Sequence, residues 1–274
     1  MKSVFKYFGG KTNQLDNIMS ILREHVTEFD TVVDVFGGSG KVLLNIPDKW
    51  RKIKVYNDIN EELYTTFKVL QNAEKRALLL EKLSVAFAHE RIFKEMKTTH
   101  IDDDVETAFK VLYMHTYSYM GDGKSFGRQY NGIVRNMKFP IENFVYIKDW
   151  IVENKDFREL FRIYNRPRVL LYLDPPYISA GKSYKHSFKL EDLKNLKECI
   201  DGHTGTYMMN LSMYDDGMTE IFGSPNNIIS YPNPLTKNGQ EKWDCGYWWK
   251  FHHETMQKTI LENYNIPIME QINS

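Results

Sequence analysis

Residues 31 to 58 read strand, glycine turn, helix, strand, and that order restricts the fold more than any other stretch of the chain. Thr31-Val32-Val33-Asp34-Val35-Phe36 is a strand-like run rich in β-branched residues, and Gly37-Gly38-Ser39-Gly40 stops it. Lys41 to Asn45 then reads as helix, and Ile53 to Asn57 as a second strand finishing at Asp58. A βαβ unit of this kind belongs to a parallel sheet, whose ligands bind at the carboxyl ends of the strands. The glycines do not match the commonest phosphate cradles. Val35 stands where a P-loop needs its first glycine, and Val42 stands where it needs Ser or Thr after the lysine. The three-glycine spacing of a dinucleotide fingerprint is also absent. What remains is an acid at a strand end followed by small residues that let backbone approach a ligand closely, which suits a ligand with an amino-acid portion. Asp58, ending the next strand, stands where an acid can accept the hydroxyls of a ribose.

The sheet pattern returns late in the chain. Trp150-Ile151-Val152, Val169 to Leu173, Thr206 to Asn210 and Asn227 to Tyr231 are all strand-like. Near the amino terminus Leu15, Ile18, Ile21, Leu22 and Val26 recur at helical spacing, with Thr12 or Asn13 available as cap. From about 60 to 115 the pattern is helical, carried by Leu63, Phe67, Leu70, Leu78, Leu79, Leu83, Phe109, Val111 and Leu112. The expected organisation is one α/β domain over 1–59 and 141–274, interrupted by a mainly helical insertion over 60–140. At 274 residues, 42% of them hydrophobic, the chain can bury the core such a domain needs.

The run Val169-Leu170-Leu171-Tyr172-Leu173 ends in Asp174-Pro175-Pro176-Tyr177. Two prolines cannot continue a ladder, so a carboxylate, a carbonyl and an aromatic face are held together at the carboxyl end of a buried strand. That set suits a planar group bearing an amine, gripped at its edge and stacked on its face, and a nucleobase is one such group. A strand followed by a proline turn with a solvated Asp is the alternative reading of the motif alone.

Charge offers no global clue, because Lys plus Arg equals Asp plus Glu at 36 each. Binding to an anionic partner must therefore come from local patches. Cys199 and Cys245 are too few for a disulfide framework and fit no zinc spacing, and no metal site is expected. Neither cysteine follows a proline in a context suited to attack on cytosine, so both are expected to be core or incidental. With no signal core or membrane span in view, an intracellular protein is expected.

Taken in order, these motifs resemble the Dam-like DNA adenine methyltransferases. The resemblance runs over nearly the whole chain and is strongest in Phe5 to Lys11, Asp34 to Gly40, Asn57-Asp58-Ile59-Asn60 and Asp174 to Tyr177. Weaker echoes lie at Val152 to Phe157, Tyr184 to Phe188, Met209 to Ser212 and Glu262 to Tyr264. It implies a Rossmann-like α/β sheet with helices on both faces, plus an inserted, mainly helical target-recognition domain. The implied cofactor is S-adenosyl-L-methionine. Its site would be formed by Tyr7, Gly10, Lys11, Asp34, Phe36, Gly38, Gly40, Asp58, Asp156, Phe157 and Asp174. Many relatives carry Trp where Tyr7 stands; Phe36 can equally be plain core, and Lys155 to Leu160 an ordinary helix start.

The implied reaction transfers a methyl group to adenine N6. The amine is a poor nucleophile, so Asp174 and the Pro175 carbonyl would accept its protons and align its lone pair, with Pro176 rigidifying the turn and Tyr177 stacking on a flipped base. Partners would be double-stranded DNA and, acting separately, a cognate restriction endonuclease in a prokaryotic or phage-infected cytoplasm. From Met120 to Lys138 four basic residues, Lys124, Arg128, Arg135 and Lys138, face Asp122 alone, and Tyr119, Tyr130 and Asn131 can stack on bases or read their edges. This segment is the expected DNA contact, against a plain solvated loop. Methylation of cytosine N4 or RNA, and a catalytically idle DNA-binding relative, stay open at the level of sequence.

Overall fold

A computed structural model describes residues 4, 5, 7, 11, 13–127, 144–177, 188–213, 217–232 and 241–251. Its strands are β1 (Thr31–Asp34), β2 (Ile53–Asn57), β3 (Ile151–Glu153), β4 (Val169–Leu173), β5 (Thr206–Ser212), β6 (Asn227–Pro232) and β7 (Lys242–Lys250). Among the described residues they form one sheet in the order β3-β2-β1-β4-β5-β7-β6. The pairings from β3 through β5 are parallel, and β7 lies antiparallel to both β5 and β6.

Every residue of β1 and of β4 is buried, as expected for central parallel strands covered on both sides. Alternate residues feed two cores. Val32, Tyr56, Leu170, Tyr172 and Met208 pack with α1 (Leu15–Glu24), α2 (Lys41–Asn45) and α3 (Glu61–Gln71). Val33, Val55, Leu171, Leu173 and Met209 pack with α8 (Phe157–Ile163), α9 (Leu190–Asp201) and α10 (Met218–Phe222) on the opposite face. The chain therefore winds outward from β1 to β3 along one face, returns to β4 and winds the other way along the second. Neighbours β1 and β4 mark where the direction reverses, which is where open α/β sheets leave a crevice for ligands.

The described residues between β2 and β3 include five helices: α3, α4 (Ala73–Ser84), α5 (Glu90–Thr98), α6 (Asp104–Tyr117) and the short α7 (Phe144–Ile147). The Asp103 side chain caps α6 by accepting from the Glu106 amide at 2.8 Å, with Asp104 and Glu106 in the first turn. Helix α3 places Leu63, Phe67 and Leu70 in the core of the sheet's first face, and Phe67 stacks on Tyr56 at 3.9 Å between ring centroids.

Three local expectations are corrected. Strand β1 stops at Asp34 rather than Phe36, because the chain already turns at Val35 and Phe36, ahead of the glycines. Helix α1 has Gln14 at its N-cap, with no side-chain cap bond, in place of Thr12 or Asn13; it starts where the first apolar side chain, Leu15, enters the core. Strand β7 was not anticipated, since Lys242 to Lys250 lacks clean alternation and is extended only because β5 and β6 flank it. No helix among the described residues is long and apolar enough to cross a membrane.

Candidate active site

The carboxyl ends of β1, β2, β4 and β5 deliver Asp34, Asn57, Asp174 and Asn210 to one crevice. The glycine turn after β1 is held from β2. Gly37 donates to the Asn57 carbonyl at 2.7 Å, the Tyr56 hydroxyl donates to the Gly38 carbonyl at 2.8 Å, and Gly38 donates to Asp58 Oδ2 at 2.9 Å. Asp58 Oδ1 accepts from the Asn60 amide at 2.8 Å. Gly38 and Gly40 have φ of 52° and 67°, a left-handed backbone that favours glycine. Asn57 is fully satisfied: its amide donates to the Val35 and Lys155 carbonyls at 2.9 and 3.0 Å, and its oxygen accepts from the Lys155 amide at 2.8 Å. The tips of β1 and β2 and the segment leading into α8 are thus tied by one side chain, whose role the sequence alone did not reveal.

Lys11 lies against the Asp-Pro-Pro-Tyr motif. Its Nζ is 2.6 Å from Asp174 Oδ1, donates to the Tyr177 hydroxyl at 2.9 Å and sits 4.9 Å from the centre of the Tyr177 ring. Lys11 is 6% exposed and the Asp174 side chain 18%, so solvent screens this pair little. Burial alone would push the Lys11 ammonium down; the Asp174 carboxylate outweighs it and holds Lys11 above the usual lysine range. Burial in turn raises the Asp174 carboxyl, against the pull of Lys11 and Asn210. Asn210 donates to Asp174 Oδ1 at 3.3 Å and accepts from the buried Tyr172 hydroxyl at 2.6 Å. It is a support of the motif that appears in sequence only as a weak echo. Pro175 is buried directly behind Asp174.

Asp34 is 2% exposed, accepts from the Phe36 backbone, and has no hydrogen-bond partner for Oδ1 among the described residues. Burial, then Asp174 and Asp58, push its carboxyl well above the usual range, with Lys11 opposing. A buried acid in that state weakens the ligand-free fold. Its folded form holds a proton that the unfolded chain releases above about pH 4, so stability falls as pH rises from there through the folded-state pKa. Asp34→Asn is expected to be more stable than the parent by about 1–3 kcal/mol at neutral pH, with the gain vanishing below about pH 4. Urea unfolding of both proteins across that range checks it, and equal stability at neutral pH would mean the carboxylate is compensated in the fold.

Phe36, Phe157 and Phe188 form a three-ring cluster with centroids 5.7–5.9 Å apart beside this crevice. Asp156 caps α8 by accepting from the Arg158 amide at 2.9 Å and pairs with the Arg158 guanidinium, so the helix-start reading of this segment holds. Cys245 is buried near Lys11 and Asp174, and burial pushes its thiol up to about 12, which leaves it un-ionised. Among the described residues no group of His, Cys, Asp and Glu could hold a metal ion.

Tyr7 packs on the glycine turn, where a Cβ on Gly38 would lie 3.0 Å from its ring. It also meets His115 of α6 at 5.0 Å, and Phe5 meets the same imidazole at 5.3 Å. His115 Nδ1 donates to the Gly121 carbonyl at 2.9 Å. The segment after α6 is a compact hairpin in which Tyr119 donates to the Ser125 carbonyl, Gly127 to the Tyr117 carbonyl, and Asp122 Oδ1 accepts from the Lys124 and Ser125 amides. The hairpin carries Tyr119, 61% exposed, and Lys124, and His115 braces it against Phe5 and Tyr7. Gly10, Arg128, Tyr130, Asn131, Arg135 and Lys138 lie outside the described residues.

The chain is 24% identical over 206 residues to the type II methyltransferase M.CviBI of Paramecium bursaria Chlorella virus NC1A, an overlap covering 70% of this chain and 75% of that protein. Over residues 7–230 it matches the family described as MethyltransfD12, D12 class N6 adenine-specific DNA methyltransferase. That match runs from Tyr7 through the glycine turn, the helices that follow β2 and the Asp-Pro-Pro-Tyr motif into β6, so the chain belongs to the D12 class of N6 adenine-specific DNA methyltransferases.

Proposed function

We propose that this protein methylates an adenine turned out of double-stranded DNA, with S-adenosylmethionine as donor, in the crevice between β1 and β4. The observation that carries this reading is the pairing of two buried acids at neighbouring strand ends, Asp174 in the Asp-Pro-Pro-Tyr turn and Asp34 with an unpartnered oxygen. The residues fit the donor. An amino group suits Asp34 Oδ1, the glycine turn admits close backbone approach, and Asp58, at the end of β2, is an acid placed to accept ribose hydroxyls. The Phe36, Phe157 and Phe188 rings offer an apolar wall for a purine. Bound there, S-adenosylmethionine supplies a methyl group carried on a sulfonium centre.

The chain's own work is to hold and align the target. Asp174 and the Pro175 carbonyl accept hydrogen bonds from the two N–H groups of the amine and turn the nitrogen lone pair toward the methyl group. Tyr177 stacks on the base and offsets the stacking lost on leaving the duplex. Displacement at the methyl carbon then needs no covalent intermediate on Cys199 or Cys245.

The DNA surface is the segment that starts with the 117–127 hairpin and continues through Arg128, Tyr130, Asn131, Arg135 and Lys138. Lys124→Ala should weaken binding to cognate and scrambled duplexes alike and reduce the salt slope by about one unit. Arg128→Ala should instead relax preference at one base pair, by about 1–3 kcal/mol. Titrations at several salt concentrations separate these outcomes, and two unchanged slopes would move recognition elsewhere.

The test of the whole reading is to treat unmethylated genomic DNA with the protein and labelled S-adenosylmethionine, then map modified adenines. Absence of label from duplex DNA would sink it. A separate endonuclease cutting the same unmodified sites is the partnership that the type II relative supports.

A further inference from the structure

Lys11 touches neither the glycine turn nor Asp58 through any described hydrogen bond; its ammonium is spent on the Asp-Pro-Pro-Tyr motif. We propose that Lys11 is a positioning residue for methyl transfer, the fixed counter-ion that keeps Asp174 ionised and aimed at the target amine. This rests on the reading of Asp174 as the amine's acceptor.

The surroundings give that ammonium a specific task. Asp34 from β1 faces Asp174 and is itself backed by Asp58 from β2. From β4 and the turn come Tyr172 and Tyr177, from β5 Asn210, and from β7 Cys245, with Tyr247 beyond it. Three carboxyl groups thus share one pocket, and among the described residues facing Asp174 the single cation is Lys11. Without it, a carboxyl only 18% exposed would take up a proton, because burial disfavours the ionised form. A protonated Asp174 is a weaker acceptor for the amine and can present an O–H where an acceptor is needed.

Geometry adds direction to charge. Lys11 and Asn210 both donate to Oδ1, which fixes the carboxylate plane from two sides and leaves Oδ2 for the incoming amine. The same Nζ donates to the Tyr177 hydroxyl, so one ammonium ties the acceptor to the stacking ring. The two groups that must act on one base are thereby held in one frame.

The experiment is the pH profile of kcat/KM for Lys11→Met, Lys11→Arg and Asp174→Asn, with folding followed by circular dichroism. Lys11→Met should lose about tenfold or more at neutral pH and regain activity as pH rises, its acid limb displaced upward by about one pH unit or more. Lys11→Arg keeps the charge and should keep the limb near that of the parent. A cofactor-holding role predicts instead a raised KM for the donor at every pH with the limb unmoved, and that result overturns the proposal. Two Asp174 variants separate the two ideas: Asp174→Asn keeps an acceptor oxygen without the charge, so normal turnover there overturns the counter-ion role alone, whereas near-parental transfer by a folded Asp174→Ala removes Asp174 itself. Should Lys11→Met fail to fold, carbon-13 NMR of labelled aspartate carboxyls in the parent, assigned with Asp174→Asn, decides it. An ionised Asp174 at pH 7 is expected, and a protonated one overturns the proposal.

Discussion

Asp174→Ala is expected to lower the rate of methyl transfer by about a hundredfold or more, the scale on which a preorganised group at a reacting centre acts. The alanine leaves the adenine amine with the Pro175 carbonyl alone, so the lone pair is no longer held toward the methyl group. The structure adds a second consequence. Lys11 is buried and its ammonium is 2.6 Å from Asp174 Oδ1, so deleting the acid strands a buried charge. Breaking one side of a buried pair carries a stability cost, here up to about 3 kcal/mol. Single-turnover transfer with labelled donor, read beside denaturant unfolding of the same variant, separates the chemical loss from the structural one. Near-parental transfer by a folded variant would remove Asp174 from the reaction.

Gly37→Ala is expected to lose about 3 kcal/mol of stability and, with it, donor binding. A Cβ at Gly37 would lie 2.3 and 2.6 Å from the Tyr56 ring and 2.9 Å from the Asn57 carbonyl, the same carbonyl that accepts the Gly37 amide. The ring cannot retreat. It is fully buried, stacked on Phe67 and hydrogen-bonded to the Gly38 carbonyl. Relief would have to come from the glycine turn itself, which would pull Gly38 away from Asp58. Gly202→Ala is the comparison, because its nearest neighbour is 3.6 Å away at the end of α9 and its φ of −81° suits any residue. That variant should stay within about 0.5 kcal/mol of the parent. Similar unfolding midpoints for the two would show that the turn tolerates a side chain.

The amino-acid sequence by itself determined the architecture where local pattern and burial coincide. Strands β1 and β4 are buried throughout because both faces are covered, so each was legible as a run, and Asp34 and Asp174 were legible as the acids at the strand ends. The order of motifs carried the family and its reaction. What only the tertiary structure decided is how distant residues share the crevice. The resemblance puts Lys11 in the cofactor site, yet it donates to Tyr177 across 166 positions, and Asn210 reaches Asp174 across 36. Strand β7 has no period of its own and is extended because β5 and β6 offer it unpaired backbone on both sides. Periodicity reports which side of a single element is buried; it carries no record of which other element supplies a charge or a ladder partner. Those partners are chosen when the sheet closes around them, and in this protein that choice sets Lys11 on Asp174.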